Sequence, residues 1–204
     1  MWTMSPAHVL EPTYEAIKRR LVVGDWPMGF RLEAVRLAGD LGVSITPVRD
    51  SLYRLAGERL VDTIPGEGFR VPSLSEQGLR EMFDFNLLLL LGAIDADAIP
   101  FAMSPDGEMD HATAIASLFL AIASLAGNGE VVAAVESLND RLHQLRQLDE
   151  SFLPEALEEL DDLRASFSSG QWRSNGRDLL TRYHLARRLG AGRYIRIIAG
   201  KGKS

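Results

Sequence analysis

The chain has no cysteine and only four histidines in 204 residues. Without thiols there are no disulfides and no thiolate metal sites, and a reducing, cytoplasmic setting is expected. Long apolar runs are also missing. Phe85–Ile94 is uncharged for only ten residues, too few to cross a bilayer. The uncharged stretch Ala112–Gly129 is broken by Thr113, Ser117, Ser124, Asn128 and glycines, and reads as an Ala-rich helix buried in a bundle. Residues 1–30 lack a basic start followed by an apolar core, so neither a secretory leader nor a membrane partner is expected. No phosphate loop and no nucleophile–base set is visible, which argues against an enzyme. A metal-dependent hydrolase built on the histidines lacks a complete ligand set.

A basic excess is the last absence. The net charge is −6. Residues 1–72 carry nine basic and nine acidic side chains, so the whole deficit lies in residues 73–204, with thirteen basic against nineteen acidic. Even the neutral front half is less basic than a tight DNA binder usually is. Hydrophobic residues make up 46%, which is enough to bury a core.

Residues 32–71 carry the densest pattern. Leu37, Ala38 and Leu41 form an apolar stripe at helical spacing, ended by Gly42, where a left-handed residue is needed. Ser44 or Thr46 can cap the next helix, and Pro47 is tolerated in its first turn. Val48, Leu52 and Leu55 then point inward, while Ile45, Arg49 and Tyr53 recur every four residues on the outer side. Leu60–Ile64 and Phe69–Val71 read as a hairpin around Pro65-Gly66-Glu67-Gly68, whose glycines permit positive φ. Helix, tight turn, helix with a polar outer face is the arrangement that lays a helix in the DNA major groove. A first helix is predicted over residues 12–23, closed by Gly24. Pro72 to Ser75 read as a linker with a cap at Ser75. Helices are predicted near 76–98, 109–127, 130–149, 154–168 and 176–198, with breaks at Gly127-Asn128-Gly129 and Ser168-Ser169-Gly170. The expected fold is mainly α: a winged helix-turn-helix domain over 1–72 and an all-α domain over 73–204.

The front segment resembles the GntR family of bacterial transcription regulators. The residues carrying the match are Tyr14-Glu15-Ala16-Ile17, Gly24, Met28-Gly29-Phe30-Arg31-Leu32, Leu37-Ala38 and Leu41-Gly42-Val43-Ser44. They continue with Thr46-Pro47-Val48-Arg49, Leu52, Arg54-Leu55, Leu60-Val61, Gly68 and Val71. The rear half resembles the FadR subfamily with its FCD effector domain, through LSEQGLREMFDFN and LNDRLHQL. The resemblance implies a homodimeric regulator, a repressor by family, that binds double-stranded DNA at a short palindromic operator. Half-sites would lie about one duplex turn apart, and a small-molecule effector would act through the rear domain. The DNA-contacting candidates are Arg36, Ser44, Ile45, Thr46, Pro47, Arg49, Tyr53, Arg54, Gly68 and Arg70.

Several positions depart from the family pattern. Val35, Ile45 and Glu67 stand where the family commonly has arginine, which removes three cations per subunit. Weaker or altered DNA binding is therefore expected, with Arg36, Arg54 and Arg70 compensating in part. The alternative reading is a protein-interaction module descended from such a regulator. In the rear domain the FCD pattern implies an Asp and a His one helical turn apart, plus two further His, around a divalent metal. Asn139 and His143 hold the first pair's positions and His184 follows, with His111 and His8 elsewhere. The set is incomplete, so neither a metal nor another cofactor is expected. The family's Arg and Glu on the first rear helix are replaced by Asn86 and Leu90, which predicts a degenerate or more apolar pocket, or none. The effector-pocket candidates are Asn86, Asn139, His143 and His184. From Gly176 onward eight basic residues face Asp178 alone, either as a solvated last helix or as a surface for DNA or the acidic segment Glu155–Asp162.

Overall fold

The computed structural model describes residues 6–96 and 109–201. The chain divides into two compact units. One runs to Leu74 and takes in the chain again from Ile197; the other is Ser75–Arg196.

The front unit is built from α1 (Pro6–Val23), β1 (Arg31–Leu32), α2 (Ala34–Leu41), α3 (Ile45–Gly57), β2 (Asp62–Ile64) and β3 (Gly68–Arg70). Its core gathers Tyr14 and Ile17 of α1, Leu37 and Ala38 of α2, and Val48, Leu52 and Leu55 of α3, with Trp26, Leu32 and Phe69. The turn between α2 and α3 is set by Gly42 at φ 66. Its N–H and that of Val43 turn back to Gly39 O and Ala38 O at 3.3 and 3.0 Å, a closure that needs the left-handed conformation.

Two features of this unit differ from the sequence expectation. Helix α1 starts at Pro6, not near residue 12, and carries Pro12 inside it. Just after it, the Thr13 hydroxyl donates to Val9 O at 2.6 Å. The wing is a three-stranded antiparallel sheet in the order β1-β3-β2, not a two-stranded hairpin. Arg31 faces Arg70 and Leu32 faces Phe69, so β3 is the central strand. Beyond α3, Arg59 takes φ 60, the left-handed site that glycine usually fills.

The rear unit is all helical among the described residues. It comprises α4 (Glu76–Ile94), α5 (His111–Ser124), α6 (Gly129–Arg146), α7 (Asp149–Phe152), α8 (Ala156–Ser168), α9 (Arg177–Leu189) and α10 (Ala191–Lys201), the last running past the unit's end at Arg196. Ser75 caps α4 as expected, accepting from Gly78 N at 3.0 Å, and Asp110 caps α5 through the Thr113 N–H at 3.0 Å. The last two residues expected in the first rear helix lie outside the described residues. The helix expected over 130–149 ends at Arg146 and is followed by the single turn α7. A π-helical turn, Trp172–Gly176, precedes α9, and Gly190 divides the expected last helix into α9 and α10. The core joins Leu90 and Ala93 of α4, Ile115, Leu118, Phe119 and Ile122 of α5, Val135 of α6, Leu163 and Phe167 of α8, and Leu180 and Tyr183 of α9. No helix among the described residues is long and apolar enough to cross a membrane.

Replacing Arg59 tests the left-handed site. A left-handed arginine costs about 1–2 kcal/mol, partly offset by the greater entropy glycine loses on folding. Arg59→Gly is therefore expected to raise stability by about 0.5–1 kcal/mol in urea unfolding; an unchanged or lower midpoint would contradict the assignment.

Candidate functional site

Helix α3 presents its outer side as the spacing requires. Ile45 is 40% exposed and Tyr53 63% exposed, and Thr46 and Arg49 are exposed between them. Ser44 sits at the N-cap in extended conformation, but its hydroxyl makes no capping bond. The helix start thus keeps unbonded N–H groups and two exposed hydroxyl residues, Ser44 and Thr46. Together with the positive end of the helix dipole, these suit a phosphate oxygen. Pro47 is half-buried, and its carbonyl accepts from Ser51 Oγ at 2.7 Å. The Tyr53 ring stands edge-on to Phe69 of β3, centroids 4.9 Å apart, which ties the outer side of α3 to the wing.

The cations separate into two groups. Arg36 and Arg49 are exposed and have no hydrogen bond or ion pair among the described residues. Arg54 and Arg70 are committed elsewhere, contrary to the expectation that they compensate. The Arg54 guanidinium lies 3.6 Å from the Tyr14 ring centroid and bonds Glu11 at 2.8 Å, with Glu58 at 3.6 Å. The Tyr14 hydroxyl donates to the same Glu58 at 2.8 Å. Arg54 therefore fastens α1 to α3. Arg70 Nη2 bonds Glu67 at 2.7 Å and Nη1 bonds Gly29 O at 3.3 Å. This contact answers the Glu67 charge at the wing tip and uses up Arg70 in doing so. Gly68 has φ 93 and open space where a Cβ would stand, so backbone conformation, not crowding, requires glycine there. The sequence reading missed Asp50, exposed one turn beyond Thr46. Its negative charge beside Arg49 lowers the local positive potential.

Three of the rear candidates, Asn86, Asn139 and His184, are buried and hydrogen-bonded within the helical unit. Asn139 donates to Ala116 O at 2.9 Å and accepts from Arg146 Nη1 at 2.8 Å. His184 is buried, stacked on Phe119 with centroids 5.4 Å apart. Its Nδ1 lies 2.7 Å from Leu180 O and its Nε2 2.9 Å from the Asn86 amide. Burial, with Arg146 and Arg187 nearby, drops its pKa to about 3, so the ring is neutral. Nδ1 must then donate to Leu180 O, leaving Nε2 as an acceptor. The structure places Asn86 Oδ1 at this contact, so a neutral His184 ring requires the amide to be turned with its NH2 toward Nε2, an assignment made from the hydrogen-bond pattern. His143 lies apart, half-buried, its ring 3.4 Å from the Gln147 amide, and desolvation lowers its pKa.

These positions do not fit a divalent metal. Asn139 and His184 have both functional ends engaged, and no group of three or more His, Asp or Glu that could hold an ion occurs among the described residues. What the sequence reading missed is a charge cluster. Asp149, fully buried, accepts from Arg187 Nε at 2.9 Å, from His111 Nε2 at 3.2 Å and from the Tyr194 hydroxyl. Arg187 also bonds Glu159 at 2.6 Å, so this member of the basic tail is a core residue contacting the acidic helix. Arg177 and Arg188 pair with Asp95 and Asp84. Lys203 lies outside the described residues.

The front geometry, with reading helix, turn and wing, defines a winged helix-turn-helix of the type used by bacterial regulators. Residues 11–71 match the family model described as bacterial regulatory proteins, gntR family. Over 66 residues the chain is 38% identical to the HTH-type transcriptional regulator McbR of Escherichia coli K12, covering 32% of this chain and 30% of that protein. It is 28% identical over 87 residues to an HTH-type transcriptional regulator of Agrobacterium vitis, covering 43% and 51% of the two chains. The chain thus spans about half or less of the curated relatives it matches. A GntR transcriptional regulator from Rhodococcus sp. RHA1 shares the fold with TM-score 0.70 over 89% of this chain and 96% of its own, at 16% identity. The E. coli McbR/YncC structure does so with TM-score 0.57 over 98% and 99%, at 19% identity. The shared fold therefore extends through both units.

The neutral His184 gives the stability a pH dependence. In the unfolded chain a histidine takes its proton near pH 6.5; in the fold it stays neutral down to about pH 3. Between these values the unfolded state binds one more proton, so stability falls as pH falls, by about 1.4 kcal/mol per unit once well below 6.5. Thermal unfolding from pH 7 to pH 5 is expected to show this slope, and His184→Gln to remove its one-proton contribution. An identical slope in both proteins would refute the neutral assignment.

Proposed function

We propose that the protein is a cytoplasmic, DNA-binding transcription regulator of gntR type, acting as a homodimer on a short palindromic operator. It is a repressor controlled by a small-molecule effector in the rear domain. The observation that carries this reading is the exposed side of α3, where Arg49 stands unpaired between Ile45 and Tyr53, with the wing fastened beside it through Tyr53 and Phe69. Arg49 can contact a phosphate or a guanine edge, and Ile45 a thymine methyl. The paired units are supported by an apolar face: Phe85 and Leu88 of α4 and Leu185 and Leu189 of α9 are exposed, next to the Asp84–Arg188 ion pair that joins the two helices. Exposed apolar patches of this kind mark association surfaces. Repression is the role in the name of one relative, the HTH-type transcriptional repressor GlaR of E. coli, 32% identical over 71 residues.

Affinity is set by few cations. With Val35, Ile45 and Glu67 uncharged or acidic, and Arg54 and Arg70 bonded internally, each subunit offers Arg36 and Arg49 as free cations on α2 and α3. Modest affinity and a shallow salt dependence follow, since each neutralised phosphate releases a counterion. The same observation favours the second reading, an interaction module with eroded DNA contacts.

Selection from a random duplex library with purified protein separates the two readings. Enrichment of one palindrome is expected; uniform weak retention supports the module. On the enriched site, Arg49→Ala is expected to weaken binding by about 1–3 kcal/mol, on the order of 5–150-fold. Glu67→Gln, which frees Arg70, is expected to tighten binding and steepen the salt slope. Sedimentation equilibrium is expected to give a dimer that Leu88→Glu dissociates.

A further inference from the structure

Strand β1 places Arg31 directly across from Arg70 on β3. Paired residues of an antiparallel ladder share a face, and like charges so placed repel. Arg70 is drawn off to Glu67 and Gly29 O. Arg31 is exposed and has no hydrogen bond or ion pair among the described residues. A cavity of about 390 Å³ opens between the end of α1, β1 and α2, and Arg20, Arg31 and Arg36 all line it. Arg20 is committed: its guanidinium lies 4.1 Å from the Trp26 ring centroid and 3.4 Å from Asp25. Arg31 and Arg36 are not, although the carboxylates Glu33 and Asp40 line the same space and bond neither of them. The start of α2 also lacks a side-chain cap, since Glu33 at the N-cap makes no capping bond.

In a helix-turn-helix the first helix crosses the DNA backbone while the second enters the groove, and α2 is that first helix here. A phosphate lying against its start meets the positive end of the helix dipole, Arg36 and Arg31 together. Such a phosphate would also relieve the repulsion between Arg31 and Arg70. We propose that Arg31 is a further DNA-contacting residue, which with Arg36 seats one backbone phosphate of the duplex beside the groove entered by α3, without reading bases. The inference rests on the DNA-binding reading and adds to it a contact on β1, between α2 and the wing. A cation on an edge strand also discourages pairing with other strands. That role needs neither Arg36 in the same cavity nor a second arginine opposite.

The test is a salt titration of duplex binding by the full chain, on the site enriched by selection and on a scrambled duplex. Each neutralised phosphate contributes about 0.9 to the slope of log affinity against log salt. Arg31→Gln is expected to make the slope shallower by about that amount on both duplexes. Between about 50 and 200 mM salt the wild type should then lose about 3- to 4-fold more affinity than the variant. The preferred bases are expected to stay the same; an altered preference would show that Arg31 reads sequence, against the proposal. Arg19→Gln, which removes an exposed cation of α1 outside the cavity, is expected to leave the slope as it is. An unchanged slope in Arg31→Gln overturns the proposal, and so does an equal drop in Arg19→Gln, since net charge alone would then explain both. Should Arg31→Gln not fold, the wild type is titrated on duplexes carrying single uncharged methylphosphonate linkages. One linkage in each half-site, at a position without base preference, is expected to lower the wild-type slope but not that of Arg36→Gln. The absence of any such linkage rules the contact out. A wild type that binds neither duplex defeats the DNA-binding reading itself, whereas a wild type that binds with an Arg31→Gln slope equal to its own defeats this contact alone.

Discussion

Asp149 is one carboxylate with no exposure to solvent, and α5, α7, α9 and α10 meet on it. It sits on the single turn α7 and accepts from His111 at the start of α5, Arg187 near the end of α9 and Tyr194 on α10. Arg187 extends the contact to Glu159 on α8. Such a group is expensive to bury alone, and breaking a buried pair by removing one member costs about 3–5 kcal/mol. Its value lies in specifying one arrangement of helices, since an apolar core of leucine and alanine would tolerate several. The short α7 is explained by this: it exists to place a carboxylate, and too few residues remain in it for helix formation to be favourable without that anchor.

The front unit solves the opposite problem. It must keep cations free at the surface while using others to hold itself together. Arg54 clamps α3 to α1 through Tyr14, Glu11 and Glu58, and Arg70 is drawn to Glu67. The division is between residues that face the first helix or the wing tip and residues that face outward from α2 and α3. Under the proposed DNA-binding function, a charge-balanced domain of this kind would gain specificity from the shape of α3 and from Ile45, more than from bulk attraction to phosphate.

Much of this was legible in the sequence. Gly42, Pro47 and the spacing of Val48, Leu52 and Leu55 defined α2, the turn and α3, because local rules and tertiary packing agree there. The cap at Ser75 and the breaks at Gly127 and Gly170 were legible for the same reason. Strand β1 was not, since two residues cannot display an alternation, and its pairing with β3 depends on a chain segment nearly forty residues away. Pro12 suggested a helix start because one lost donor looks the same in sequence whether it falls at an end or within. The buried arginines were hidden most completely. Arg187 and Arg146 lie in stretches that read as solvated charge, and only the three-dimensional neighbourhood of Asp149, Asn139 and Phe119 reveals them as interior. Asn86 and His184 were each among the effector-pocket candidates, for separate reasons; that they bond to each other was not legible, since 98 positions separate them along the chain.

The central position of β3 has a consequence for how this module can diversify. Because β3 is hydrogen-bonded on both sides, by β1 and by β2, the ribbon's frame is secured independently of Pro65, Gly66 and Glu67, which project beyond it and are exposed. The loop is a replaceable fingertip on a fixed knuckle: a change of charge at Glu67 would leave the strand pairing beneath it intact.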